Sequence, residues 1–187
     1  MMVFLERWVQ LCGLSGEENI TIDALYWAVI FYFQKIMILP SICDMMGKFD
    51  FESLKDFVFH FGRKKTVYPK IIKTPSCGNM KHLLIGFFTF YANFNYRRYV
   101  VCPLIGEVVK RRLFTTQEEL PEQMGPCMEG LRVVDEMKSF EIDSGMCLQH
   151  PFAVTKNLTE SMNEVSLYRF RTFCMKSLDV LNGESSQ

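Results

Sequence analysis

The sequence has few of the features on which the assignment of an enzyme, a zinc protein or a membrane protein usually rests. It has three histidines and no Gly-x-Gly-x-x-Gly, Walker, His-Glu-x-x-His or Gly-x-Ser-x-Gly motif. Its seven cysteines are odd in number and include no Cys-x-x-Cys pair, which argues against a zinc site or a secreted disulfide framework. The best candidate for a membrane span, residues 24–33, would cover only about half of a bilayer core as a helix. We therefore expect reduced thiols in a cytoplasmic or nuclear protein, with no membrane contact.

The remaining candidates for a metal or catalytic site are isolated residues. Cys147 and His150 form a Cys-x-x-His pair, but two ligands do not close a metal site. The pairs Glu118-Glu119 and Asp135-Glu136 are adjacent acids, whose side chains diverge on a strand or a helix and do not converge on one ion. We therefore expect no catalytic residue, no metal ion and no cofactor.

The residues that are present favour a packed core. Apolar residues make up 49% of the 187 positions, with 17 Phe and 12 Met, which is enough for one domain over residues 1–182 followed by a polar tail at 183–187. The formal net charge is zero, yet residues 1–59 carry net −4, residues 60–112 net +10 and residues 113–164 net −7. A basic segment of this kind can bind a polyanion, or it can neutralise an acidic neighbour.

The apolar periodicity predicts a mostly helical α+β fold with few short strands. The residue before a proline is pushed out of the helical region, so the helix that precedes Pro40 should end before that residue. The last helix should open with a capping box of Ser161 and Glu164, and its buried stripe should begin at Val165. The predicted helices are 3–11, 21–37 (with residues 24–33 buried on all sides), 50–62, 79–91 and the final one, with a strand at 99–102 and loops at 62–78 and 115–130.

Three stretches of the chain carry a joint pattern. The first holds Trp8, residues 20–34 and Leu39-Pro40; the second holds residues 83–92 and 101–106; the third holds Pro151-Phe152, Asn157 and the final helix. In this order and spacing they resemble the central and poly(A)-polymerase-associated regions of noncanonical poly(A) polymerases and terminal uridylyltransferases. Among partial, non-catalytic members of that group, the chain is similar to the insect Monkey king type.

The resemblance implies a helical domain that lacks the nucleotidyltransferase palm. In this family the palm precedes the tryptophan helix and supplies the metal-binding carboxylates and the phosphate loop. Phosphoryl transfer depends on Mg²⁺ ions held by such carboxylates. We therefore expect the chain alone not to be an enzyme.

The resemblance also implies a degenerate nucleotide pocket. Glu6 and Gln10 stand where the family has lysines that meet the triphosphate. The stretch from Thr21 to Asp23 stands where the family has a Ser-Ser-Tyr element that holds the phosphate and the base. Lys156 stands where uridylyltransferases often have a base-reading histidine, just before the family's asparagine, Asn157.

Three functions follow as hypotheses. The first is an interaction module that forms a homodimer, or binds a protein partner, through the surface left by the missing palm. Its expected interface residues are Phe4, Leu5, Trp8 and Val9, although core packing explains Trp8 equally well.

The second hypothesis is an RNA-binding accessory module that uses the basic segment within residues 63–112, and the third is the nucleotide-binding half of an RNA terminal nucleotidyltransferase. Tyr96 and Tyr99 are available to stack on bases in the second hypothesis. Its expected contacts are Arg63, Lys64, Lys65, Tyr68, Lys70, Lys73, Arg97 and Arg98.

Overall fold

A computed structural model describes residues 1–46, 79–115, 119–125 and 140–183. Within these ranges the fold is mostly helical, with two small sheets, as predicted. The helices are α1 (Met2–Leu11), α2 (Ile22–Lys35), α3 (Ile42–Met46), α4 (Met80–Asn93) and α5 (Glu164–Asn182). The strands are β1 (Tyr99–Cys102), β2 (Glu107–Lys110), β3 (Gln149–His150) and β4 (Ala153–Asn157), with short 3-10 turns at Arg111–Phe114 and Glu122–Met124. The helix predicted at 50–62 and the loop at 62–78 lie outside the described residues.

Helix α2 runs through the centre of the molecule. It begins where the hydroxyl of Thr21 accepts a hydrogen bond from the Ala24 N–H at 3.1 Å. It ends at Lys35, two residues earlier than predicted, because Met37 adopts a left-handed backbone with φ of 59°. The expectation of burial on all sides is wrong at Tyr26, which is 39% exposed.

The start of α5 differs from the predicted capping box. Asn163, and not Ser161, is the N-cap, and its side-chain oxygen accepts a hydrogen bond from the Ser166 N–H at 2.9 Å. From this start Leu167, Phe170 and Cys174 face the core, as predicted. Val165 lies about 200° around the helix from Leu167 and is exposed, so its place in the buried stripe is wrong.

The two sheets are small antiparallel hairpins. β1 pairs with β2 from Tyr99↔Lys110 to Cys102↔Glu107. The turn between them needs Gly106, whose φ of 68° is a left-handed conformation that glycine adopts without strain. The other edge of β1 meets the start of β3, where the Val101 N–H donates to the Cys147 carbonyl at 2.9 Å. The hairpins therefore lie side by side, and β4 pairs with β3.

The helices and hairpins share one hydrophobic core. α4 and α5 pack extensively along their lengths. The Tyr91 hydroxyl donates to the Ala28 carbonyl at 2.7 Å, and the Tyr96 hydroxyl donates to the Tyr91 carbonyl at 2.7 Å. Burial raises the pKa of both phenols well above the usual value, so both remain protonated donors. In the part of the chain that the structure describes, no helix is long and apolar enough to cross a bilayer.

Candidate functional site

Most of the side chains predicted for the degenerate pocket lie around the start of α2. The carboxylate of Glu6, on α1, accepts a hydrogen bond from the Tyr26 hydroxyl on α2. Asp23, one turn before Tyr26, and Lys156, on β4, both act electrostatically on His150 of β3. We call this surface, formed by Glu6, Asp23, Tyr26, His150 and Lys156, the α1–α2–hairpin face. It joins one helix, the start of a second and one hairpin.

His150 is a structural residue on this face. Its Nδ1 accepts hydrogen bonds from the Phe152 and Ala153 N–H groups at 3.1 and 3.0 Å, so it closes the β3–β4 turn. Burial lowers the pKa of His150; the carboxylate of Asp23 opposes this shift and the charge of Lys156 adds to it. The ring is therefore neutral at neutral pH, with the proton on Nε2.

Two other predicted pocket residues are close in sequence to members of this face. Thr21 uses its hydroxyl to cap α2, which accounts for that residue without a ligand. Gln10 is exposed on α1, four residues after Glu6, so the two lie on neighbouring turns.

Asn157, another predicted pocket residue, is held within the scaffold. It is almost completely buried, and all the hydrogen bonds that its side chain makes in the described structure are internal. The amide nitrogen donates to the Glu141 carbonyl at 2.9 Å and to the Ser144 hydroxyl at 2.8 Å. The amide oxygen accepts from the Leu148 N–H at 3.0 Å, the Thr159 N–H at 3.1 Å and the Thr159 hydroxyl at 3.0 Å. Asn157 therefore ties both hairpin strands to the segment that precedes them.

A second scaffold residue, Arg111, was not predicted as a site residue. In the sequence it is only one of the basic residues of the segment 60–112. Its guanidinium donates to three backbone carbonyls, those of Ile142 and Ser144 at 2.6 and 2.8 Å and that of Gly145 at 2.8 Å. Five bonds from two side chains thus fix the stretch 141–145: these three and the two that the Asn157 amide donates. No local pattern marks such a residue, because its acceptors are 31 to 34 positions away in the chain.

The four predicted interface residues of α1 divide into two groups. Leu5, Trp8 and Val9 are buried in the core, so these three cannot meet a partner from their present positions. The Trp8 ring lies 4.9 Å from that of Phe88, and its Nε1 donates to the Ser177 hydroxyl at 2.9 Å. Only Phe4, at 48% exposure, is a surface residue.

The predicted RNA contacts are described only in part. Arg63, Lys64, Lys65, Tyr68, Lys70 and Lys73 lie outside the described residues. Arg97 and Arg98 are exposed just before β1. The suggested stacking role of Tyr96 is wrong, because its ring is buried and its hydroxyl is bonded to Tyr91. Tyr99 is partly buried, with the Arg98 guanidinium 5.4 Å from its ring centre.

Within the described ranges, no group of three or more His, Cys, Asp and Glu side chains could hold a metal ion. Cys147, the predicted neighbour of His150, is fully buried, and its sulfur lies 3.4 Å from the Ser144 hydroxyl. Burial raises the pKa of this thiol, which opposes its ionisation as a ligand.

Comparison with known proteins agrees with this architecture. Residues 79–156 match the sequence model of the Cid1 family poly A polymerases. The whole chain superimposes on a crystal structure of mtPAP in complex with UTP, with a TM-score of 0.63 and 17% identity over 100% of this chain and 34% of that one. The complex of mtPAP with CTP gives a TM-score of 0.66 and 19% identity over 98% and 34%. RNA editing TUTase 1 from Trypanosoma brucei, with a UTP analogue, gives 0.58 and 17% over 96% and 35%.

These matches define the fold. The resemblance to noncanonical poly(A) polymerases and terminal uridylyltransferases is confirmed, and the chain has a mostly helical fold like the poly(A)-polymerase-associated region of those proteins. It spans about a third of the length of the solved structures that it matches. The similarity to the insect Monkey king type has no support from these comparisons.

Proposed function

We propose that the chain is a non-catalytic interaction module that associates with a second copy of itself through the outer face of α1. The observation that carries this proposal is a set of exposed apolar side chains on a helix whose inner face is firmly packed. Val3, Phe4 and Leu11 are exposed on α1, while Leu5 and Val9 on the same helix are fully buried. Exposed apolar side chains grouped on one element are typical of protein interfaces.

The spacing of these side chains suits a helix–helix contact. Phe4 and Leu11 are seven residues apart and therefore lie on one stripe of α1, with Val3 beside Phe4. The inner face of α1 is held by the bond from Trp8 to Ser177, so the outer stripe is presented in one orientation. A stripe present on every copy can pair with itself about a two-fold axis.

Charge on the neighbouring α1–α2–hairpin face argues against nucleotide binding at that face. Glu6 stands where the resemblance implies a lysine that meets the triphosphate, and Asp23 stands in the element that holds the phosphate and the base. Lys156 is the one cation on the α1–α2–hairpin face. Carboxylates repel a polyphosphate unless a metal ion lies between them. The charges on the α1–α2–hairpin face therefore favour a protein interface over a nucleotide site at this end of the molecule.

Self-association is tested by sedimentation velocity or light scattering at tens of micromolar. We expect a species twice the 21.9 kDa chain mass, and Phe4→Asp together with Leu11→Asp should return it to a monomer. Met37→Asp is the matched control, because Met37 is also an exposed apolar residue but lies beyond the other end of α2. A monomeric parent chain, or equal loss of the dimer in the control, would refute the proposal.

Nucleotide binding at the α1–α2–hairpin face is tested separately. ATP or UTP with Mg²⁺ should show no saturable binding at this face, as followed by NMR shifts of its residues, and an RNA primer should not be extended. The variant Glu6→Lys with Gln10→Lys changes this face from acidic to basic and should gain triphosphate binding that weakens with salt. Extension by the parent chain would overturn the non-catalytic assignment.

A further inference from the structure

A cleft of about 470 Å³ lies between the end of α4 and the start of α5. It is lined by residues 93–97 on one side and by Glu164, Leu167, Tyr168 and Arg171 on the other, and we call it the α4–α5 cleft. It shares no residue with the α1–α2–hairpin face or with the outer stripe of α1. Ligand binding in this cleft can therefore be tested independently of self-association.

The floor of the cleft is apolar and rigid. Phe94, Tyr96 and Leu167 are buried beneath it. One wall is a fixed cation, because Nε and Nη2 of Arg171 donate to the Ala92 carbonyl at 3.1 and 3.0 Å. These bonds do not use Nη1. The guanidinium also lies 6.0 Å from the centre of the Tyr96 ring, which restricts its orientation further.

The rim combines an aromatic ring with positive charge. Tyr168 is 70% exposed, which is unusual for a tyrosine in a chain that buries most of its aromatic side chains. Arg97 is exposed on the opposite side of the cleft. With Arg171 and Glu164 included, the charged residues of the lining sum to a net single positive charge.

Further basic residues surround this rim. Arg98 follows Arg97, and its carbonyl accepts the Arg111 N–H at 3.0 Å, which brings the end of β2 to the start of β1. Lys110, at that end of β2, pairs with Tyr99, and Arg112 is exposed just beyond it. The positive potential at the rim therefore extends along this end of the hairpin.

We propose that the α4–α5 cleft binds a nucleoside phosphate, either as a free nucleotide or as one unit of a single-stranded RNA. The base stacks on Tyr168, and the phosphate lies between Arg97 and Arg171. A stacking ring beside phosphate-binding cations is the combination by which proteins hold single-stranded nucleic acid. Glu164 accepts a hydrogen bond from an N–H group of the base, and the same carboxylate would repel an acidic peptide.

The experiment measures the anisotropy of fluorescein-labelled oligo(A) and oligo(U) with the full chain at low and moderate salt, and competition by AMP and by inorganic phosphate. Tyr168→Ala should weaken binding by about tenfold, as expected for loss of a stacked base. Arg97→Gln should weaken it and reduce the slope of log affinity against log salt by about 0.7, the value for one phosphate contact on a single strand. Glu164→Gln should strengthen the phosphate contribution.

Matched controls separate the cleft from general charge and from folding. Arg7→Gln removes an exposed arginine on α1, and Val165→Ala truncates an exposed residue on α5. Both controls should bind like the parent chain. Competition by AMP identifies a site for a free nucleotide, and binding of oligonucleotides alone identifies a site for a strand.

Three results would overturn the proposal. They are absence of binding at low salt, equal effects of the controls and the cleft variants, and displacement by inorganic phosphate as effective as by AMP. The last result would leave a simple anion site with no role for the Tyr168 ring.

Discussion

Asn157 allows a sharp test, because two hypotheses assign it different roles. As a pocket residue it would affect ligand binding, whereas the structure makes it a buried connector of five hydrogen bonds. Asn157→Ala removes all five and leaves the N–H groups of Leu148 and Thr159 without this acceptor. At a net value of about 0.5 to 1 kcal/mol for each bond, the five bonds sum to an expected loss of about 3 to 5 kcal/mol in the free energy of unfolding.

The assay is urea unfolding followed by circular dichroism, supported by thermal melts. For a chain of this size the expected loss corresponds to a fall in Tm of about 8 to 15 °C. Asn93→Ala is the control, since Asn93 is exposed and its amide makes one bond, to the Thr89 carbonyl at 2.9 Å. That variant should stay within about 0.5 kcal/mol of the parent. If Asn157→Ala unfolded at the same urea concentration as the control, the scaffold role would be refuted.

Two further predictions concern His150 and Gly86. Because burial lowers the folded pKa of His150 below the usual histidine value of about 6.5, the unfolded chain takes up a proton first as the pH falls. The stability that the neutral ring contributes is thus complete above pH 6.5 and is lost as the pH falls towards the folded value. His150→Gln should flatten this acid-side decline in urea midpoints, and an unchanged pH profile would contradict the argument. Gly86→Ala would put a Cβ 2.0 Å from the Tyr32 hydroxyl oxygen and should lower the free energy of unfolding by about 1 to 3 kcal/mol. Tyr32→Phe removes that oxygen and should restore much of this loss. An equal loss with Tyr32 and with Phe at this position would count against this packing.

Local patterns predicted the elements that depend on neighbouring residues. The apolar stripe of α1, the unbroken apolar run of α2 and the β-branched run of β1 each carry a signal within one or two turns of chain. The capping-box prediction for α5 failed because Ser161 and Asn163 are both good N-caps, and local sequence does not choose between them. Exposure of Val165 follows from that choice and from the position of the core.

The roles of single side chains were harder to predict. Trp8 was open between core and interface, and its burial against Phe88 and its bond to Ser177 place it in the core. Asn157 resembled a pocket residue by its position in a motif, yet its partners make it a connector. The role of each residue depends on partners far away in the chain, and these partners leave no periodic pattern in the sequence.

The amino-acid order alone thus determined that the chain folds as a mostly helical domain, because apolar spacing acts over a few residues. Tertiary packing decided which residues are available for function. It buried three of the four predicted interface residues, used Asn157 and Arg111 to hold one backbone segment, and brought Arg97, Tyr168 and Arg171 to the same cleft. The physical reason is that exposure, charge and hydrogen bonding at a surface are set by contacts between segments that the sequence keeps far apart.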